Sequence, residues 1–156
     1  MTREEDIGRR LSARALTLAV AESCTGGLLG HRITSVSGSS AYFVGGVIAY
    51  ANEVKARTLG VDAAALAREG AVSEAVARQM AEGVRRALGA DVGVGITGVA
   101  GPSGGSAAKP VGLVFVAVAG PGGAVAREFR FGGDRTAVKT SASEAALEML
   151  TQYLQP

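Results

Sequence analysis

The sequence predicts an α/β fold, a single three-layer α/β/α domain built on a mixed β-sheet. Three observations carry that prediction. Apolar runs of strand length alternate along the chain with segments of helical spacing, the pattern of helices laid on both faces of a sheet. The hydrophobic fraction is 47% while aromatics make up 4% and Trp is absent, so the core packs small, branched side chains closely. Pro121-Gly122-Gly123 joins two strand-like runs as a hairpin, which makes the sheet mixed rather than wholly parallel.

Taken in order, residues 4–14 form a first helix with Ile7, Leu11 and Ala15 on one face. Leu16–Ala21 is a short apolar run, read as a buried strand over 16–21, and a helix follows over about 26–35. Val36–Ser40 has loop composition, and the second half of Ala41–Tyr50 is a strand. Asn52 is placed to cap a short helix that ends at Gly60, and another short helix spans 62–68. Ser73 caps the clearest helix, in which Val76, Met80, Val84 and Leu88 recur every four residues before Gly89 stops it. Asp91–Thr97 alternates Val and Gly as a buried strand whose glycines mark close approach by a helix or ligand. Gly98–Pro110 is a Gly/Ser/Pro loop, Val111–Ala119 a strand, 124–131 the second hairpin strand, and 135–153 the last helix.

The charge pattern and the single cysteine exclude several classes. Sixteen basic and 14 acidic residues nearly balance, at a net charge of +2, and the basic ones are scattered, so no nucleic-acid footprint is present. Cys24 is alone, which excludes an internal disulfide and fits a reducing cytosol. Met1–Arg10 is charged and lacks the apolar segment of a secretory signal. No run approaches the roughly 20 apolar residues of a membrane span. The expectation is a cytoplasmic protein with no membrane or nucleic-acid partner, whose exposed small-residue strands suit a homodimer. No His/Cys/Asp cluster has metal-ligand spacing, and no cofactor is called for. His31, the only histidine, lies inside a helix, a poor position for a Ser-His-Asp triad.

Chemistry gathers in the loops that follow strands. Ser23-Cys24-Thr25-Gly26-Gly27 turns from a buried strand into a helix, offering a nucleophile and free helix-start amides that suit an anion. The same turn also reads as an ordinary helix cap. It is neither a Walker loop nor a dinucleotide glycine motif nor the Gly-x-Ser-x-Gly elbow. Ser39 and Ser40 offer hydroxyls in a second loop. Tyr50, Asn52 and Lys55 sit at a strand end and one helical turn beyond it, so they can face one crevice. Lys55 becomes a base only if burial or a nearby cation depresses its pKa. Thr97, Gly98 and Gly101 belong to a third loop, stiffened by Pro102 and Pro110, that can bring backbone N–H groups to an oxyanion or phosphate. Arg135 places a guanidinium at a helix start, where Asp134 also serves as a cap.

These loops, in this order, resemble the C-terminal domain of the CinA (competence/damage-inducible protein) family, whose stand-alone form is nicotinamide-nucleotide amidase. The residues that carry the resemblance include Ala21–Gly27, Gly38–Phe43, Tyr50–Lys55, Gly70–Glu74, Thr97–Pro102, Lys109–Gly112 and Gly133–Arg135. They cover nearly the whole chain. Departures are Ala51, where serine is common, and Ala107-Ala108, where an acidic residue is usual.

The resemblance implies a free-standing amidase that hydrolyses nicotinamide mononucleotide to nicotinate mononucleotide and ammonia. It implies Ser23 as nucleophile, Lys55 as base and Tyr50 as their positioning partner. Thr25, Gly26, Gly27, Ser39, Ser40, Asn52, Thr97, Gly98, Gly101 and Arg135 then hold the nucleotide. Exchange of roles between Ser23 and Ser39 or Ser40, and direct attack by water, stay open at this stage. The competing class is a non-catalytic nucleotide-binding accessory in DNA uptake or damage response.

Overall fold

A computed structural model describes all 156 residues. Five strands form one sheet: β1 (Leu18–Glu22), β2 (Phe43–Ile48), β3 (Val92–Gly98), β4 (Leu113–Gly120) and β5 (Gly123–Arg130), in the order β2-β1-β3-β4-β5. The first three run parallel, and the β4–β5 hairpin closes the sheet antiparallel. Helices α1 (Arg3–Ala13), α2 (Leu28–Thr34) and α6 (Arg135–Tyr153) cover one face. Helices α3 (Asn52–Leu59), α4 (Ala63–Glu69) and α5 (Glu74–Leu88) cover the other. The sheet is mixed and the layers are three.

The period of two along β1 decides what each face receives. Leu18 and Val20 pack into the core under α1, α2 and α6, whereas Ala19 and Ala21 pack under α3 and α5. In β3, Val92, Val94 and Ile96 join the first core. The alternating glycines face α5, so the close approach their pattern predicts is made by a helix. A Cβ on Gly93 would lie 2.2 Å from Ala81 O, and one on Gly95 2.5 Å from Ala77 O. Helix α5 therefore seats its backbone directly on the strand. Its own Gly83 lets α3 approach as closely, since a Cβ there would meet Leu59 O at 1.9 Å.

Side-chain caps set most helix starts. Thr2 and Glu5 form a capping box on α1, and Asp62, Ser73 and Asp134 cap α4, α5 and α6. Gly60 and Gly89 end α3 and α5 in the left-handed conformation. Two expectations are corrected. Ala15 lies beyond α1 at φ +53, so the buried face of the helix consists of Ile7, Gly8 and Leu11. Asn52 is not the cap of α3; Ala51 holds that place without a side-chain bond, and Asn52 is the first helical residue.

Candidate active site

The carboxyl ends of the parallel strands β1 and β3 lie side by side, and the loops leaving them make the site. Ser23 follows β1 directly, and its N–H donates to Ile96 O at 3.0 Å, which holds it beside Thr97. Alternation turns Ser23 toward the α3 side of the sheet, opposite to Glu22. There Lys55, in the first turn of α3, donates from Nζ to Ser23 Oγ at 3.1 Å and to Tyr50 O at 3.0 Å. Lys55 is 1% exposed and makes no ion pair with a carboxylate. Burial pushes its pKa below the ordinary lysine range, with the nearby Cys24 thiol acting weakly in the other direction. A buried amine of depressed pKa within hydrogen-bond reach of a hydroxyl is the arrangement of a nucleophile with its base.

Both groups open onto a cavity of about 370 Å³ whose walls include Tyr50, Asn52, Thr97, Arg135 and the Gly98–Gly101 backbone. The glycine-rich wall is tied down. Val99 N–H donates to Leu113 O, Gly112 N–H to Val99 O, and Thr97 Oγ to Ala71 O at 2.8 Å. A Cβ on Gly101, at φ +81, would come within 2.3 Å of Val111 Cγ1, so only glycine fits where the loop folds back. Arg135 joins the two rims, donating from one guanidinium nitrogen to Gly101 O at 2.8 Å and from another to the Tyr50 hydroxyl at 3.1 Å.

Several residues singled out from the sequence occupy other roles. Tyr50 positions Lys55 through its carbonyl; its phenol is turned outward to Arg135, and the residue is 61% exposed. Ser39 and Ser40 form a 3-10 turn ahead of β2, at the end of the sheet where Leu18 pairs with Phe43. Five residues of strand separate that end from Ser23, roughly 16 Å. Within one chain they neither line the cavity nor exchange roles with Ser23. Thr25, Gly26 and Gly27 lie beside the cavity rather than on its wall.

Of the turn's amides expected to hold an anion, Gly26 N–H donates to Ser23 O, and the amides just beyond, in α2, are occupied by a side chain of the protein itself. Glu22, 1% exposed, accepts from the Thr25 hydroxyl at 2.6 Å, from Leu29 N–H at 2.9 Å and from Gly30 N–H at 3.0 Å. Its carboxylate fills the start of α2 and ties the Ser23–Gly27 turn to the helix. Sequence reading treated Glu22 as part of a motif and missed this function. Its signal was a carboxylate at the end of an otherwise apolar strand, just ahead of a helix start. Cys24 is buried, with its thiol pushed up to about 11 by that burial, so it stays protonated near neutral pH. No group of three or more His, Cys, Asp or Glu is placed to hold a metal ion, and no helix is long and apolar enough to cross a membrane.

Comparisons with known proteins extend over almost the entire chain. The family model described as the CinA C-terminal domain matches residues 1–154. A CinA-like protein of Salinibacter ruber is 57% identical over 148 residues, 95% of this chain and 36% of that protein. One from Geobacter sulfurreducens is 51% identical over 148 residues, again 95% of this chain and 36% of that protein. The chain thus spans little more than a third of the length of the curated relatives it matches. The crystal structure of the competence/damage inducible protein CihA from Agrobacterium tumefaciens superposes with a TM-score of 0.93 at 40% identity, covering 99% of this chain and 98% of that one. A CinA superfamily protein from Escherichia coli gives a TM-score of 0.92 at 35% identity, covering 97% of this chain and 90% of that one.

Proposed function

Given that this chain belongs to the CinA C-terminal domain family, we propose that it is an amidohydrolase that cleaves the carboxamide of nicotinamide mononucleotide, giving nicotinate mononucleotide and ammonia. The observation that carries this reading is the buried Lys55 Nζ, 3.1 Å from Ser23 Oγ at the wall of a cavity. A cavity of about 370 Å³ is of the size that takes a small ligand.

In the proposed reaction, neutral Lys55 takes the Ser23 hydroxyl proton as Oγ attacks the amide carbon. Backbone N–H groups of the turn after Ser23 and of the Gly98–Gly101 loop hold the oxyanion that forms. The Lys55 ammonium then returns its proton to the leaving nitrogen, the carbon–nitrogen bond breaks, and ammonia departs from an acyl ester on Ser23. A water molecule, deprotonated by Lys55, attacks that ester; on collapse the Lys55 ammonium returns its proton to Ser23 Oγ, and the acid product loses its proton to solvent as the carboxylate. As the neutral base, Lys55 accepts from the Ser23 hydroxyl through its lone pair while one N–H donates to Tyr50 O, which leaves the other N–H free. Asn52, Thr97, Gly98 and Gly101 would frame the pyridine and ribose, and Arg135 has N–H donors left after its two bonds to the rims.

A nucleotide-binding accessory needs the cavity but has no use for a buried amine beside a serine, so the geometry favours the enzyme. The test is ammonia release from nicotinamide mononucleotide by the purified protein, with mass spectrometry for an acyl adduct on Ser23. Wild type is expected to release ammonia and Ser23→Ala to lose the activity. No release from wild type would sink the amidase reading, and full activity in Ser23→Ala would replace the serine by direct water attack.

A further inference from the structure

Beside the proposed catalytic cavity lies a second one of about 460 Å³ whose α6 wall takes no part in the reaction above. The two are contiguous along both walls. On the β1 side, Ser23 and Cys24 line the first and Thr25, Gly26 and Gly27 the second. On α6, Arg135 lines the first, and Thr136, Lys139 and Thr140 line the second. Consecutive residues thus pass from one cavity to the next on each side, with Arg135 at the junction.

The charge of this second cavity is one-sided. Lys139 takes part in no ion pair of the protein, and no Asp or Glu lines either cavity. Its ammonium stands over the catalytic turn, because a Cβ placed on Gly26 would lie 3.6 Å from Lys139 Nζ. Thr136 and Thr140 add hydroxyls from the same helix, and His31 of α2 is also among the lining residues. The one carboxylate nearby, Glu22, is already satisfied by three donors. An unneutralised ammonium with hydroxyls around it, in a cavity free of acids, selects an anion with several acceptor oxygens.

We propose that the Lys139 cleft is the subsite for the phosphate monoester of the mononucleotide substrate, and that Lys139 is the residue by which the protein distinguishes the nucleotide from its nucleoside. The inference rests on the amidase reading for the identity of the reacting end. An amide carbon at Ser23 Oγ leaves the rest of the substrate to run past Arg135 into the adjoining cleft. Arg135, whose donors bind Gly101 O and the Tyr50 hydroxyl, shapes that passage.

The experiment compares nicotinamide mononucleotide with nicotinamide riboside, which lacks only the phosphate, in wild type, Lys139→Met and Lys139→Arg. Lys139→Met is expected to raise KM for the mononucleotide about 10-fold or more, the effect of losing one hydrogen bond to a charged group. KM for the riboside should stay within about twofold, and Lys139→Arg should restore most of the loss. In parallel, inorganic phosphate is titrated against wild type and Lys139→Met, followed at the Gly26 and Gly27 amide resonances. Saturable shifts in wild type that vanish in Lys139→Met support the site even if neither substrate is hydrolysed, an outcome that would remove the amidase reading alone. Equal KM effects on both substrates, or the same phosphate response in both proteins, would overturn the assignment.

Discussion

Replacement of Lys55 by methionine separates chemistry from folding at this site. Methionine keeps an unbranched apolar stem of similar reach, so the buried space taken by the Lys55 stem stays filled. What disappears is Nζ, and with it the bonds to Ser23 Oγ and Tyr50 O. Two buried acceptors left without a donor cost about 1–3 kcal/mol each. Against that, the variant no longer desolvates an amine whose charged form is disfavoured by burial. The two effects oppose each other, and the unfolding midpoint should move by only a few degrees. Activity has no such compensation. Loss of a positioned general base costs about 10²–10⁴ in rate, or about 2.7–5.5 kcal/mol of barrier. The assay is ammonia release coupled to a dehydrogenase, with circular dichroism following thermal unfolding of the same samples. A Lys55→Met protein that folds as wild type and keeps activity within about tenfold would refute the assignment of Lys55 as base.

Three other perturbations probe different links. Because burial lowers the Lys55 pKa from 10.5, kcat/KM should rise with pH along an acidic limb whose midpoint lies below that value, and the limb should vanish from any residual activity of Lys55→Met. Stability carries the same sign: the unfolded chain holds a proton on Lys55 that the folded one sheds, so urea midpoints should rise with pH between the two pKa values, and not do so in Lys55→Met. Glu22→Ala strands the Thr25 hydroxyl and two α2 amides, which should lower unfolding free energy by at least about 2 kcal/mol in urea titration. It should also lower kcat by loosening the turn that carries Ser23; unchanged kcat in a folded sample would count against that tie. Gly93→Ala drives a methyl into Ala81 O at 2.2 Å and should cost about 1–3 kcal/mol or more by calorimetry, whereas a neutral result would mean α5 can lift from β3.

Much of the fold was legible because its signals are local. Ser73, Gly89 and the four-residue repeat between them announce α5, and the Val–Gly alternation of β3 announces close approach by a helix or a ligand, which proves to be α5. The errors fell where two segments compete for one function. Asn52 has the chemistry of a cap, yet Ala51 adopts the extended backbone that a cap requires and Asn52 turns into the cavity wall. The glycines and hydroxyls after β1 have the chemistry of an anion site, yet Gly26 N–H is taken by Ser23 O, and Glu22 reaches the Thr25 hydroxyl and the Leu29 and Gly30 amides from inside the protein. Composition carries no record of which acceptor arrives first.

The site itself divides along the same line. Ser23, Lys55, Thr97, Gly101 and Arg135 were identifiable from residue type and from their places after strands. Sequence alone determined that these groups exist, and that strands and helices alternate closely enough to stack them at one edge of a sheet. Only the tertiary structure decided that Ser23 faces α3 while Glu22 faces α2, since one residue of register exchanges them. It also decided that Lys55 is buried, and hence that its pKa lies below the ordinary lysine range, because desolvation depends on α3 packing over β1 and α5 rather than on the lysine's neighbours in the chain. And it separated Ser39 and Ser40 from the cavity, because parallel pairing of β2 with β1 sends the start of β2 to the opposite end of the sheet.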